Sequence, residues 1–168
     1  GIPMVPDELT IQNFMSMPTT RKVIEDHQLP VGLELEEVET IGLPMKKLKH
    51  LMLLSDKDSS LSLVTKHMIR TVVETVSGHK VTILDPTDEY KTFVASVNNY
   101  VPSTSDFKSV IEQLKEQVHY ARQNGGDFEH YIFITDMGQF VSESGVETND
   151  IGLLMEEGLK VGLHFVFS

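Results

Sequence analysis

Four short apolar runs constrain this chain more than any other feature. They are Leu51 to Leu54, Lys80 to Leu84 (KVTIL), Tyr131 to Ile134 (YIFI) and Leu163 to Phe167 (LHFVF), and each is near-continuous rather than alternating. A strand with one wet face alternates apolar with polar; a continuous run suits a central parallel strand covered on both faces. Helical patterns separate the runs. From Ser60 to Ser77 the positions Leu61, Val64, Met68, Val72 and Val76 recur at helical spacing, and Gly78 follows as a stop. Ser103-Thr104-Ser105-Asp106 marks a second helix start. Its apolar stripe is Phe107, Val110, Ile111, Leu114, Val118 and Ala121, and Asn124-Gly125-Gly126 ends it. A third helix is expected over Asp150 to Leu159, capped by Thr148, Asn149 or Asp150. The alternation of strand and helix predicts a mainly parallel three-layer α/β domain.

The remaining stretches are less regular. Residues 1–30 read as a leading segment or linker, with Pro3 and Pro6 stiffening the start. Asp7 or Thr10 caps a short helix through Phe14 and Met17, which Pro18-Thr19-Thr20 breaks. Pro30-Val31-Gly32-Leu33 opens the main unit, residues 31–168, and Thr40 to Met45 reads as a short strand. Lys46, Lys47 and Lys49 read as a solvated turn. Val94 to Val101 stays open between strand and loop. Ser168 ends what should be a core strand, so the sequence reads as a piece of something larger, trimmed at its C-terminal end.

Composition excludes several classes. A chain of 168 residues suits one domain with a sizeable core. Its net charge of −11 disfavours a direct nucleic-acid role, which calls for a basic face. No apolar run approaches the roughly 20 residues that span a bilayer. No secretory leader is visible at the first residues. Zero cysteines remove disulfides and thiolate metal sites. His27, His50, His67, His79, His119, His130 and His164 are scattered, with no ligand-spaced pair, and read as surface or packed side chains rather than a metal set. Ser142-Glu143-Ser144-Gly145 lacks the first glycine of a nucleophile elbow, so no catalytic residue is assigned. Among the eight methionines, Met45, Met52 and Met68 read as core; Met137 and Met155 either fill core gaps or flank surface loops where thioethers line a groove.

The most informative stretch runs from His50 to Val64. An apolar strand, a short polar loop and a long helix follow one another, the context of a phosphate-binding P-loop. The pattern G-x-x-x-x-G-K-[ST] falls on Ser55, Asp56, Lys57, Asp58, Ser59, Ser60, Leu61 and Ser62, and only Ser62 matches. Serines replace the glycines that let backbone N–H groups turn onto phosphate. Leu61 removes the charge a lysine would bring, and Asp56 and Asp58 add negative charge that Lys57 only partly offsets. Ligand sites in open α/β sheets lie beyond the carboxyl ends of the strands, where Asp85, Asp136 and the serine loop should gather.

Four stretches in order carry a family resemblance: Pro30-Val31-Gly32-Leu33-Glu34, His50 to Leu54 with its loop and helix, Tyr131 to Asp136, and Gly162-Leu163-His164-Phe165-Val166. The set resembles the FtsK/SpoIIIE family of P-loop motor ATPases. Ile2-Pro3-Met4-Val5-Pro6 followed by a short helix looks like the degenerate C-terminal ATPase module of EssC/YukB-type coupling proteins of Gram-positive type VII secretion. The resemblance implies a RecA-like P-loop NTPase fold with a degenerate Walker A loop. It places Ser62 at the Mg²⁺-binding hydroxyl, Leu61 at the phosphate-binding lysine, Thr135 at the metal-holding Walker B aspartate and Asp136 at the acid after it. It implies a non-hydrolysing module with no cofactor of its own, ATP and Mg²⁺ entering only if the degenerate pocket retains binding. The implied partners are secreted helical WXG-type substrates or their partners, the upstream ATPase modules and further copies of the parent, without nucleic acid. The implied place is the cytoplasmic side of a membrane-anchored Gram-positive protein. Two alternatives stay open, a weak or atypical ATPase and a DNA-translocating motor domain.

Overall fold

The computed structural model describes residues 20–21, 50–53, 58–75, 80–126 and 129–168. The expected helix through Phe14 and Met17, the strand at Thr40 to Met45, the lysine cluster, the Pro30 to Glu34 motif, Ser55 to Lys57 and the Gly78 stop lie outside the described residues. The elements in chain order are β1 (Thr20–Arg21), β2 (His50–Met52), α1 (Asp58–Thr75), β3 (Lys80–Leu84), a 3-10 turn (Lys91–Phe93), β4 (Asn99–Val101), α2 (Phe107–Gln123), β5 (His130–Ile134), α3 (Met137–Ser144), α4 (Thr148–Leu159) and β6 (Leu163–Phe167).

The strands form one sheet in the order β1-β2-β6-β5-β3-β4, and every pairing is parallel. This is the parallel α/β architecture expected, in a RecA-like layout. β6 inserts between β2 and β5, with Leu51 opposite Val166 and Phe133 opposite the same valine on the other side. Thr20, expected at a break, instead begins the short edge strand β1, in register with His50.

The crossovers sort the helices onto faces. The connection through α1 carries the chain from β2 outward to β3, whereas α2 and the α3–α4 pair carry it back toward β2. Right-handed crossovers in opposite directions land on opposite faces. Two separate apolar clusters confirm it. Val64, Met68, Ile69 and Val72 of α1 pack with Val81, Ile83, Tyr131, Phe133 and Val166. Ile111, Leu114 and Val118 of α2 and Ile151, Leu154 and Met155 of α4 pack with Leu84, Ile132, Ile134, Leu163, Phe165 and Phe167. Successive residues of β5 thus feed different cores, which is why its sequence is apolar throughout.

The local chemistry explains most boundaries. Asp106 caps α2 by accepting from the Ser109 N–H at 3.2 Å, and Gly125 leaves the helix at φ 67°. The stripe predicted for α2 is buried at Phe107, Ile111, Leu114, Val118 and Ala121. Arg122 pairs with Glu157, and Lys115 lies 3.7 Å from Asp150, tying α2 to α4 at the surface. One expectation needs correction, and two points are added. α4 begins at Thr148 with Glu147 before it and no side-chain cap, so none of the three expected capping residues acts as one. α3 was not foreseen. Met137 and Met155 are core residues, 6% and 0% exposed, the gap-filling of the two readings.

Candidate functional site

Because all strands run parallel, their carboxyl ends share one rim, and the residues just past β3 and β5 meet there. Asp85 follows β3 and is fully buried. Its Oδ1 accepts from the Thr87 N–H at 3.1 Å, the Thr87 hydroxyl at 2.6 Å and the Thr135 hydroxyl at 2.6 Å. Its Oδ2 accepts from the Tyr90 N–H at 2.8 Å and the Tyr100 phenol at 2.7 Å. Among the described residues no cation pairs with this carboxylate. Hydrogen bonds from neutral groups offset its desolvation. Burial, and then its bond to Asp85, raise the Tyr100 phenol well above its ordinary pKa.

Asp88 extends the same loop. It sits at φ 60°, accepts from the Ser103 N–H at 2.9 Å and from the Ser103 hydroxyl, and those bonds hold its carboxyl below the usual range. The chain between β3 and β4 is thus pinned at two aspartates.

Thr135 and Asp136 follow β5. Thr135 is buried with its hydroxyl on Asp85. Asp136 is exposed, adopts the left-handed region at φ 51°, and caps α3 by accepting from the Gln139 N–H at 3.0 Å. Aspartate tolerates that conformation because its short side chain bonds locally. Gln139 in turn donates to the Pro86 carbonyl at 3.1 Å, joining α3 to the β3 loop.

At the start of α1, Asp58 to Ser62 are already helical, while Ser55, Asp56 and Lys57 lie outside the described residues. Leu61 packs against the α1-side core, which gives a leucine there a packing role. Burial raises the pKa of the Tyr90 phenol, which lies near Ser62 and Thr65 of α1; the Thr65 hydroxyl itself donates to the Leu61 carbonyl at 2.7 Å. Lys66 lies over the Tyr90 ring at 5.8 Å. So the structure joins Thr135 to Asp85, with Asp136 following along the chain at the same rim, while Ser55 to Lys57 of the serine loop expected there lie outside the described residues.

Among the described residues, Leu61 brings no charge to a phosphate, both oxygens of Asp85 accept from neutral groups, and Asp136 Oδ1 accepts from the Gln139 N–H. Among the described residues no group of three His, Asp or Glu side chains is placed to hold an ion.

Three of the seven histidines gather at the opposite end of the sheet. His50, His130 and His164 begin or nearly begin β2, β5 and β6, three adjacent strands, and all are buried. His50 Nδ1 accepts from the Phe165 N–H at 3.1 Å, and its Nε2 donates to the Met155 carbonyl at 3.0 Å. Both ring nitrogens are used in one neutral tautomer, and burial lowers its pKa to about 4. His130 lies 2.8 Å from the Thr82 hydroxyl, and burial lowers it to about 4 as well. His164 stacks on Tyr131 at 5.0 Å. Gly162, which opens the Gly-x-His stretch, turns the chain at φ 91°. His50 thus fastens β2 to β6 and α4, and His164 stacks β6 on β5, both at the end of the sheet away from the rim.

Sequence reasoning missed Tyr90 and Tyr100 and named Asp85 only by position. The signal was present: Asp85-Pro86-Thr87 is an Asx-turn pattern closing a strand, with Thr87 bonding back to Asp85.

No family model matches the chain. It is similar to the type VII secretion system protein EssC of Staphylococcus aureus: 25% identical over 171 residues to that of strain MRSA252, 25% over 176 residues to that of strain MSSA476, and 24% over 176 residues to that of strain Mu50. Each match covers 99% of this chain and 11% of the relative, so the chain spans about a tenth of the length of the curated relatives it matches. Homology that runs along the whole chain, over a parallel sheet in a RecA-like layout, supports an EssC-type domain.

Proposed function

We propose that this chain is a non-hydrolysing module of a type VII secretion motor, one that takes part in recognising exported proteins and regulating their passage. The observation that carries the reading is Leu61: it stands where the family resemblance puts the phosphate-binding lysine, and its side chain packs against the core. Phosphoryl transfer is mostly positioning and charge stabilisation, so a site without that cation loses the main means of catalysis. A P-loop-type fold relieved of turnover keeps its surfaces for partners. Those are secreted helical WXG-type substrates or the proteins that accompany them, and an amphipathic helix in a groove is the mode such a partner would use. Binding here then acts on upstream ATPase modules of a membrane-anchored parent. Among the described residues no helix is long and apolar enough to cross a membrane.

Calorimetric titration with ATP and Mg²⁺ tests the reading. No heat is expected up to millimolar nucleotide, for the natural protein or for Leu61→Lys, since the lysine alone leaves Asp85 saturated and Thr135 neutral. Saturable Mg²⁺-dependent binding by the natural protein would overturn it in favour of an atypical ATPase.

A further inference from the structure

Asn124 stands exposed just past the last residue of α2, and a glycine follows it. That pairing carries a chemistry of its own. The side-chain amide of an asparagine has an electrophilic carbonyl carbon, and the next backbone nitrogen can reach it to close a five-membered ring. A Cβ on the next residue crowds that approach; glycine has none. The surroundings set Asn124 apart from Asn98, Asn99 and Asn149, which are followed by Asn99, Tyr100 and Asp150. Asn98 Oδ1 accepts from the Val81 N–H at 2.8 Å, and Asn99 lies inside β4. Asn149 is in the first turn of α4, where the next nitrogen, that of Asp150, already donates to the Glu147 carbonyl at 3.0 Å.

Asn124 also closes α2. Its backbone N–H and its side-chain Nδ2 both donate to the Tyr120 carbonyl, at 3.0 and 2.9 Å. Gly125 then turns left-handed at φ 67°, and the Gly126 N–H donates to the Ala121 carbonyl at 2.7 Å, the bond that finishes such a turn. Two residues earlier, Arg122 pairs with Glu157 of α4.

We propose that Asn124 is a self-modifying site, converted through a succinimide to aspartate and isoaspartate, and that the conversion loosens the end of α2. The Gly125 nitrogen bonds to Asn124 Cγ, the Cγ–Nδ2 bond breaks, and the proton from that nitrogen departs with the amide as ammonia. Water then opens the ring at either carbonyl. One opening gives aspartate; the other gives isoaspartate, in which the main chain runs through the side-chain carbon. Water is the sole co-reactant, and nothing is oxidised or reduced. Ring closure requires Asn124 to leave the capping geometry of φ −102°, ψ 10°, and helix ends open at little cost. Either product removes the amide donor from the Tyr120 carbonyl and sets a negative charge at the negative end of the α2 dipole. Isoaspartate also lengthens the backbone within the turn that Gly126 closes. The reaction is the same whether or not nucleotide binds at the rim.

Timed incubation of the whole 168-residue chain at pH 8, followed by digestion and fragment-ion mass spectrometry, tests the site. The mass gain of amide becoming acid should build up faster at Asn124 than at Asn98, Asn99 and Asn149 together, with isoaspartate among the products. Asn124→Gln, whose attack would have to close a six-membered ring, should lose the signal. In the converted fraction, amide hydrogen exchange over residues 120–126 should be roughly two- to ten-fold faster, the range set by one net hydrogen bond, with α1 unchanged. Conversion at Asn124 no faster than at the other three asparagines would overturn the site. Unchanged exchange over residues 120–126 in the converted fraction would overturn its effect on α2.

Discussion

Acid should unlock the amino end of the sheet, and His50 allows the size of the effect to be worked out. Its imidazole accepts from the Phe165 N–H and donates to the Met155 carbonyl, an arrangement only the neutral ring can make. Burial, with a smaller contribution from nearby His164, lowers its pKa from 6.5 to about 4. The folded value lies below the unfolded one. The stabilisation is therefore complete above about pH 6.5 and is lost as pH falls through 6.5 toward 4. At 1.36 kcal/mol per unit, the loss between pH 7.5 and pH 5 is about 2 kcal/mol for this one ring. Carboxylates also titrate toward the lower end, and His130 behaves as His50 does, so the natural protein alone cannot isolate the effect. His50→Gln can, since an amide also donates and accepts but does not titrate in this range. Urea unfolding of both proteins at pH 7.5, 6 and 5 should show the natural protein losing about 2 kcal/mol more than the variant across that span. A difference between the two that stays flat with pH would refute the argument.

Three further outcomes follow from the geometry. Thr135→Asp, which writes an acid into the Walker B position, should set a second carboxylate against Asp85 Oδ1, where the threonine hydroxyl now donates at 2.6 Å. Two carboxylates in one site raise the pKa of one of them, so the variant should lose roughly 2–4 kcal/mol at pH 7.5 and less at pH 5, measured by urea unfolding at both values. Gly158→Ala should lower the melting temperature although alanine is the better helix former, because the new Cβ would meet Leu163 Cδ2 at 2.7 Å and Cβ at 2.9 Å. Overpacking of about 1–3 kcal/mol outweighs a propensity gain of about 1 kcal/mol. Asp85→Asn should cost about 2–4 kcal/mol in denaturant unfolding, since an amide cannot accept from all of the donors now aimed at both oxygens.

The sheet was legible where strands are buried on both faces. KVTIL and YIFI announce β3 and β5 because each residue feeds one core or the other. The α2 stripe was equally plain, with a capping aspartate before it and Gly125 after it. α3 was not legible: its eight residues offer only Met137, Phe140 and Val141 as an apolar face, and Gly138 and the serines weaken its helix propensity. β4 has three residues, and its edge position leaves Asn99 exposed, so no apolar run marks it. At the candidate site the positions of Asp85, Thr135 and Asp136 could be foreseen, because parallel strands deliver their carboxyl ends to one rim. Their bonding could not, since it depends on Tyr90 and Tyr100 arriving from a loop and an edge strand with no periodic signal. Three of the histidines are packed side chains, one of the two expectations for them, but their meeting could not be foreseen. Spacing along the chain held no pattern because the pattern lies across β2, β6 and β5.

The place of β6 has a consequence for how such a chain comes into being. Synthesis delivers β2 early and β6 late, yet β6 is the only strand that touches both β2 and β5, and His50 waits for a partner 115 residues further along. Contacts of such long sequence separation slow folding. While the chain emerges from a ribosome, β3, β4 and β5 can pair among themselves, but β2 has no route to them. A nascent chain stopped short of residue 163 would present an open edge on β2 and another on β5, the kind of intermediate that chaperones bind and that aggregates when they do not.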